Sequence, residues 1–173
     1  MPSYTPLSMN HVAYPTFDTG ETYRFYTEVL GCELVGAIRK NAVPSTGEKS
    51  EFLHTFFALR SGECIAFFEV DGLERPSQSD GIPSWIRHIA LNMESPEALE
   101  EVKKRLEAHG VEVIGTVDHD GTWSSIYFFD PNGIRIELTY QSRQLGPEDA
   151  SRGRALVEQW IAEKGRTPLP SNA

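Results

Sequence analysis

The sequence predicts an α+β fold built from two consecutive βαβββ modules and followed by a C-terminal helix. The strongest indication is a repeated phrase, because His11-Val12-Ala13-Tyr14 opens one segment and His88-Ile89-Ala90-Leu91 opens another. Each segment continues through one helical stripe and ends in an apolar strand that carries a glutamate, Glu69 or Glu137. Pairing two such copies would bury a core that neither copy could form alone.

Module one is predicted to cover about residues 8–71. Strand alternation places Met9, His11 and Ala13 on one face of its first strand. Asp18 is a typical N-cap with Glu21 three residues later, which indicates that a helix begins there. The helix is supported by an apolar stripe at i, i+3 and i+7 (Tyr23, Tyr26 and Leu30) and is expected to stop at Gly31. Strands are predicted at about 33–39, 52–60 and 64–70.

Residues 72–84 are rich in glycine, proline and serine and are predicted to form a linker. Module two then covers about residues 85–140. Ser95-Pro96 begins its helix, which carries the same apolar spacing (Leu99, Val102 and Leu106) and ends at Gly110. Strands are predicted at about 111–116, 124–129 and 133–140, and an Asp130-Pro131-Asn132-Gly133 turn joins the last two.

The two modules together form one predicted domain, residues 1–145, and residues 146–173 form a C-terminal helix and tail. The helix should begin near Pro147. Its apolar stripe is expected to pack on the body of the protein or on a second subunit, while residues 166–173 form a loose tail. The stripe consists of Leu156, Val157, Trp160 and Ile161.

Composition excludes several classes of protein. Sixteen basic and 25 acidic residues give a net charge of −9, which argues against nucleic-acid and anionic-membrane partners. Two cysteines, Cys32 and Cys64, exclude a disulfide scaffold and a cysteine-based zinc site. The start Met1-Pro2-Ser3-Tyr4 lacks the features of a signal peptide, and no apolar run approaches the roughly 18 residues that span a bilayer. We therefore expect a cytoplasmic protein whose partner is a small-molecule substrate.

The His-X-Ala phrases, the module order and the segment from Asp130 to Glu137 resemble the vicinal oxygen chelate superfamily over about residues 8–140. That superfamily contains glyoxalases, bleomycin-resistance proteins and extradiol dioxygenases. The resemblance implies that the paired modules form an incomplete barrel around one divalent metal. It places the ligands at His11, His88 and Glu137, with Glu69 as a fourth candidate, and it implies a homodimer.

The chemistry of these side chains agrees with a metal site. Two imidazoles and one carboxylate suit a borderline or hard divalent ion and are the set that non-haem Fe(II) enzymes use. Fe(II) is the favoured ion, and Zn, Ni, Mn and Co are the alternatives. Such a site keeps coordination positions open, so a substrate with two adjacent oxygens can chelate a metal that acts as a Lewis acid.

Within the superfamily, the resemblance favours extradiol-dioxygenase-like cleavage of a catechol or another vicinal-oxygen substrate. Three residues carry this preference. Tyr127 lies ten residues before Glu137, where ring-cleaving enzymes have a tyrosine that contacts the substrate or oxygen. His54 resembles their acid–base histidine. His119 lies in a loop from which it could contact a substrate.

Two other functions remain open. If Glu69 is a fourth ligand, the chain is expected to act as a glyoxalase- or epimerase-like lyase or isomerase. A third possibility is a metal-free drug-binding protein. In that case an aromatic cleft at a dimer interface should bind the drug, with Trp85, Trp123, Phe56 and Phe57 as its lining.

Overall fold

The structure, a computed structural model, describes residues 5–77 and 80–169. The Met1-Pro2-Ser3-Tyr4 start, linker residues 78 and 79, and the end of the predicted tail (170–173) lie outside the described residues. Within the described ranges, no helix combines the length and apolar character that crossing a bilayer requires.

The chain folds into two four-stranded sheets with helices, which confirms the α+β fold of two βαβββ modules and a C-terminal helix. The described sheets are not closed into one barrel, since each forms a ladder of its own. The elements are β1 (His11–Pro15), α1 (Thr19–Arg24), a π-helical turn (Phe25–Val29), β2 (Glu33–Lys40), β3 (Phe52–Ala58), β4 (Cys64–Val70), β5 (His88–Asn92), α2 (Pro96–Ala108), β6 (Ile114–His119), β7 (Trp123–Phe129), β8 (Arg135–Gln141) and α3 (Pro147–Glu163).

The two sheets repeat the same topology. Sheet one has the order β1-β4-β3-β2, and sheet two has the order β5-β8-β7-β6. In each sheet the first strand runs parallel to the last strand of its module, and the other pairs are antiparallel. The registers correspond, because Ala13 pairs with Ala66 in sheet one and Ala90 pairs with Glu137 in sheet two.

The first helix differs from the prediction of one continuous α-helix. Asp18 caps α1 by accepting a hydrogen bond from the Glu21 N–H at 2.8 Å, but the chain widens into the π-helical turn after Arg24. In this wider turn the adjacent rings of Phe25 and Tyr26 are both buried. Gly31 has φ +80°, so it provides the left-handed stop that the sequence indicated.

Strand β6 begins at Ile114, three residues later than the sequence predicted. Val111 and Val113 pack against the core but precede the paired residues of the ladder. A register shift follows at Gly115, whose φ is +111°. A Cβ atom at this position would lie 2.7 Å from the Ser125 carbonyl oxygen, so only glycine fits.

One hydrophobic core unites the two modules. It contains six buried residues from each: Phe25, Tyr26, Val29, Phe57, Ile65 and Phe67 from module one, and Leu99, Leu106, Ile126, Phe128, Ile136 and Leu138 from module two. Polar contacts cross the same boundary, since the Arg105 Nε donates to the Val29 carbonyl at 2.7 Å and the Tyr26 hydroxyl donates to Asp130 Oδ2 at 3.2 Å. The modules therefore pack through their helical sides.

Strand alternation determines which side chains of β1 and β5 lie outside the shared core. In β1 the side chains of Val12 and Tyr14 pack against the core, so His11 and Ala13 lie on the opposite face. In β5 Leu91 packs against the core, and His88 is exposed on the other face. Each sheet thus has an open face that carries its module's first histidine and is turned away from the shared core.

The C-terminal helix α3 packs little against the rest of the chain. None of its residues is buried, and Trp160 in its apolar stripe is 61% exposed. The stripe therefore does not pack on the body of the same chain. The alternative, packing on a second subunit, stays a prediction.

Candidate metal centre

The open face of sheet two brings His88 and Glu137 into contact. His88 is the first residue of β5, and Glu137 lies in the neighbouring strand β8. The His88 Nε2 is 3.0 Å from Glu137 Oε2, and the Ser125 hydroxyl donates to Glu137 Oε1 at 2.6 Å. Glu137 is only 8% exposed. At this distance the His88 Nε2–H donates to Glu137 Oε2, so a nearly buried carboxylate and an imidazole are directed at the same space.

Tyr127 and His119 lie beside this pair. Tyr127 pairs with Glu137 in the ladder, and its ring centroid is 6.2 Å from that of His88. Its hydroxyl lies 2.8 Å from His119 Nε2. Burial raises the pKa of Tyr127, and the nearby Glu137 carboxylate acts in the same direction, so the phenol stays protonated at neutral pH. The pair can therefore position or exchange a proton beside His88.

Arg135 is a site residue that the sequence analysis missed. It pairs with His88 across β5 and β8, and its guanidinium carbon lies 4.4 Å from the centre of the Tyr127 ring. The signal was present in the sequence, because Arg135 lies two residues before Glu137 and strand alternation puts both on one face. The open face of sheet two thus carries a cation beside the candidate ligands.

The open face of sheet one holds a separate pair of histidines. The His11 ring lies 5.9 Å from the His54 ring and 5.4 Å from the Phe56 ring. The His54 ring stacks on Phe68 with centroids 3.7 Å apart. His54 Nδ1 is 3.0 Å from the Phe67 carbonyl oxygen, which can only accept, so Nδ1 carries the proton and Nε2 has the free lone pair. Burial lowers the pKa of His54, which keeps this ring neutral.

The assignment of Glu69 to the position that matches Glu137 is wrong. The ladder pairs place Ala66 at that position, and Glu69 falls three residues later on the opposite face of β4. There its Oε2 accepts a hydrogen bond from the Thr19 N–H at 2.7 Å, at the start of α1. Glu69 therefore caps a helix in this structure and does not share a face with His11.

The expectation that one chain gathers His11, His88 and Glu137 around a common ion is also wrong. Among residues 5–77 and 80–169, no three histidine, cysteine or acidic side chains lie close enough together to hold a metal. The reason is the shared core, which turns the two open faces away from it. A single chain instead presents two half-sites, with His11 and His54 on one face and His88 and Glu137 on the other.

The residues of these half-sites nevertheless fit a divalent ion. His88 and Glu137 already converge, and the buried Glu137 carboxylate accepts from the Ser125 hydroxyl and lies beside the Tyr127 phenol. A buried carboxylate gains from a nearby cation. Together with one more imidazole, the set would have the composition that borderline and hard divalent metals prefer. His11, His88 and Glu137 are therefore side chains that could hold a metal.

The four aromatic residues of the drug-cleft hypothesis lie in different parts of the described chain. Phe57 is fully buried in the shared core, whereas Phe56 lies beside His11 on the open face of sheet one. Trp123 belongs to sheet two, and Trp85 is exposed just before β5. Phe57 is therefore excluded as a lining residue, because its ring is fully inaccessible.

Comparison with known proteins identifies the family. The model of the Glyoxalase/Bleomycin resistance protein/Dioxygenase superfamily matches residues 8–138. The metallothiol transferase FosB of Bacillus licheniformis is 29% identical over 133 residues, covering 76% of this chain and 74% of FosB.

Solved structures show the same fold. A glyoxylase/bleomycin resistance protein/dioxygenase domain from Frankia superposes with a TM-score of 0.65 at 20% identity, over 79% of this chain and 99% of that domain. The fosfomycin resistance protein FosX of Listeria monocytogenes, in complex with Mn(II) and sulfate, gives a TM-score of 0.53 at 24% identity, over 85% and 99% of the two chains. With the family model matching most of its length, the chain belongs to the Glyoxalase/Bleomycin resistance protein/Dioxygenase superfamily.

Proposed function

We propose that this chain is a divalent-metal-dependent enzyme that works as a homodimer. His88 and Glu137 of one subunit and His11 of the partner subunit would hold each ion. The observation that carries the proposal is the division of the ligands between two faces turned away from one shared core. A two-fold contact that sets the open face of sheet one against the open face of sheet two would make two identical sites.

Exposed apolar side chains on the open faces support such a contact. Ile38 pairs with His54 in sheet one and is exposed. In sheet two, Ile114 pairs with Tyr127 and Phe129 pairs with Arg135, and both side chains are exposed. Large apolar side chains that surround polar site residues on an open sheet face are typical of surfaces that another protein covers.

A heterodimer tests the shared site. We would co-express His11→Ala and Glu137→Ala chains with different tags, isolate the mixed dimer and measure bound Mn(II). Each variant homodimer should lose its metal, whereas the mixed dimer should keep one ion, because one site retains all three wild-type ligands. Ligands supplied within one chain would give no ion in the mixed dimer, and a monomeric wild-type protein would also refute the proposal.

For the reaction, we propose extradiol-type ring cleavage, with Fe(II) as the favoured ion. Ala66 supports it by leaving the fourth position without a carboxylate, so three protein ligands would leave room for two substrate oxygens. A divalent ion there would supply Lewis-acid activation of those oxygens. The same gap weighs against the four-ligand lyase or isomerase.

Side chains of the protein can accept and donate the protons that the reaction requires. His54 of the partner subunit presents a neutral ring whose Nε2 can accept a proton from a catechol hydroxyl. Tyr127, with His119 at its hydroxyl, lies beside His88 and can hold the substrate by a hydrogen bond. Phe56 and Phe68 pack against the His54 ring and limit the access of water to it.

The reaction is tested by loading the protein with Fe(II) without air and then adding oxygen and a panel of catechols. Ring cleavage should give yellow products that depend on Fe(II) and disappear in the Glu137→Ala variant. A panel that stays colourless with fully loaded protein would refute this reaction while leaving the metal site intact.

A second candidate is the modification of a phosphonate such as fosfomycin. It is favoured by the similarity to the metallothiol transferase FosB and by the cation Arg135 on the face of the candidate ligands. Loss of fosfomycin in the presence of Mn(II), with and without an added thiol, distinguishes it from ring cleavage. A protein that binds no divalent ion but retains drugs would instead support the drug-binding function.

A further inference from the structure

We infer that Arg135 binds an oxyanion group of the substrate, in a cavity that the residue 82–87 segment forms with Tyr14 of β1 and with the β5 and β8 residues around Arg135. This inference rests on the proposed function, because it concerns the substrate of the same site. It adds a substrate class: small molecules with an apolar body and one carboxylate or phosphonate group.

The cavity has a volume of about 580 Å³ and reaches the candidate metal ligand His88. Such a volume is in the usual range for small-molecule sites. Apolar side chains form part of its wall, whereas the cationic groups lie near the starts of β5 and β8. The lining residues that matter here are Ile82, Ile86, Arg87, His88, Phe129 and Arg135.

Arg135 differs from the other arginine of this cavity in its partners. The Arg87 guanidinium forms an ion pair with Asp80. In the described part of the chain, no oxygen accepts a hydrogen bond from Arg135, whose guanidinium instead lies over the Tyr127 ring. The nearest acid on its strand face, Glu137, already contacts Ser125 and His88.

This arrangement favours an oxyanion that offers two oxygens to the guanidinium. The aromatic ring fixes the plane of the guanidinium by a cation–π contact and leaves its N–H groups available. A guanidinium binds carboxylate or phosphonate oxygens in a two-pronged manner. Because Arg135 pairs with His88 in the ladder, an oxyanion bound there would place the rest of a small substrate beside the candidate ligands.

The test compares binding of two catechols that differ in charge. Calorimetric titration without oxygen, in the presence and absence of Mn(II), measures the dissociation constants of 3,4-dihydroxybenzoate and 4-methylcatechol for the dimer. Both compounds carry the same vicinal oxygens, so the ratio of their affinities isolates the carboxylate. Propylphosphonate against propanol forms the phosphonate arm. The variants are Arg135→Gln and, as a matched control on the same cavity, Arg87→Gln.

The wild-type protein should prefer the anionic member of at least one pair by about tenfold or more. Arg135→Gln should reduce the preference to near unity without weakening the neutral member, and Arg87→Gln should retain it. The arm that shows the preference identifies the oxyanion. Equal affinities within both pairs, a preference that survives Arg135→Gln, or one that Arg87→Gln removes would overturn the inference.

Failure of the proposed function gives a different result. Because the ratio is also measured without metal, a protein that neither binds metal nor turns over substrate can still show the Arg135-dependent preference. Conversely, an active enzyme without this preference would refute only the role of Arg135. Circular dichroism of each variant checks that the fold is retained.

Discussion

Replacing Tyr26 with phenylalanine tests how the two modules hold together. Tyr26 belongs to module one, and its hydroxyl donates to Asp130 Oδ2 of module two at 3.2 Å. Both residues are buried. The substitution removes this hydrogen bond but keeps the ring, whose centroid lies 4.9 Å from that of Phe67 in the shared core. The change therefore isolates one polar contact between the modules.

The magnitude follows from what remains around Asp130. Its Oδ1 keeps two backbone donors, from Asn132 at 2.9 Å and Ile134 at 2.7 Å, and Oδ2 keeps the Asn132 side-chain amide at 3.1 Å. No oxygen is left without a donor, so the loss should be that of one hydrogen bond to a buried acid, about 1–2 kcal/mol. Truncation to alanine would also remove the ring and should cost about 3–5 kcal/mol.

The loss should also depend on pH. Burial raises the pKa of Asp130, while hydrogen bonds from Ile134, Asn132 and Tyr26 act in the opposite direction. Because the folded pKa exceeds the unfolded value, the associated stability is present at low pH and is lost as pH rises through the folded pKa. Removing the Tyr26 donor raises the folded pKa further, so Tyr26→Phe should cost more at pH 7 than at pH 4.

Urea unfolding of the wild-type protein and Tyr26→Phe at both pH values measures these differences. Tyr23→Phe is the matched control, since Tyr23 lies in the same helical segment but is 44% exposed, and its loss should stay within about 0.5 kcal/mol. The reasoning fails if Tyr26→Phe costs no more than the control, or if its cost is the same at the two pH values.

Three further substitutions test the site and the fold, and a fourth, Gly121→Ala, serves as a control. Glu69→Ala should remove the cap at the start of α1 and lower the free energy of unfolding by about 0.5–2 kcal/mol. Elemental analysis should find the metal content unchanged, and a loss of metal would show that Glu69 is a ligand. Gly115→Ala should lower stability by about 2 kcal/mol or more because of its clash with the Ser125 carbonyl. A Cβ atom at Gly121 would have no atom within 4 Å, so Gly121→Ala should lose only about 1 kcal/mol of stability, from the strain of a left-handed backbone. Equal thermal shifts for the two variants would contradict the clash at Gly115. Tyr127→Phe should retain bound metal but reduce turnover about a hundredfold, and unchanged steady-state rates would exclude the hydroxyl from the reaction.

The resemblance to the superfamily was enough to predict some of the candidate site. Tyr127 and Glu137 are ten residues apart on adjacent antiparallel strands, and the structure pairs them directly. Alternation along β8 could have found Arg135, two residues before Glu137. Alternation within one strand does not give the register between strands, however. Glu69 was therefore matched to Glu137, although the β1–β4 ladder puts Ala66 there.

The separation of His11 from His88 was beyond the reach of periodicity. The sequence places each histidine on a face of its own sheet, but it does not say which faces of two modules pack together. That choice depends on long-range packing, such as Phe25 against Phe128 with ring centroids 6.3 Å apart. The π-helical turn likewise depends on this packing, because local spacing of apolar residues predicts an ordinary α-helix there.

The hydroxyl of Ser125 fixes the orientation of the Glu137 carboxylate. Ser125 Oγ lies 2.6 Å from Glu137 Oε1 and 2.8 Å from Thr139 Oγ1. A serine has one hydroxyl proton, and an ionised carboxylate can only accept, so that proton points at Glu137 and Thr139 must donate to Ser125. This one-way relay occupies Oε1 and orients Oε2 toward His88 before anything binds. A cation would therefore bind a carboxylate that is already oriented. The entropy cost of ordering this side chain would not reduce the affinity for the ion.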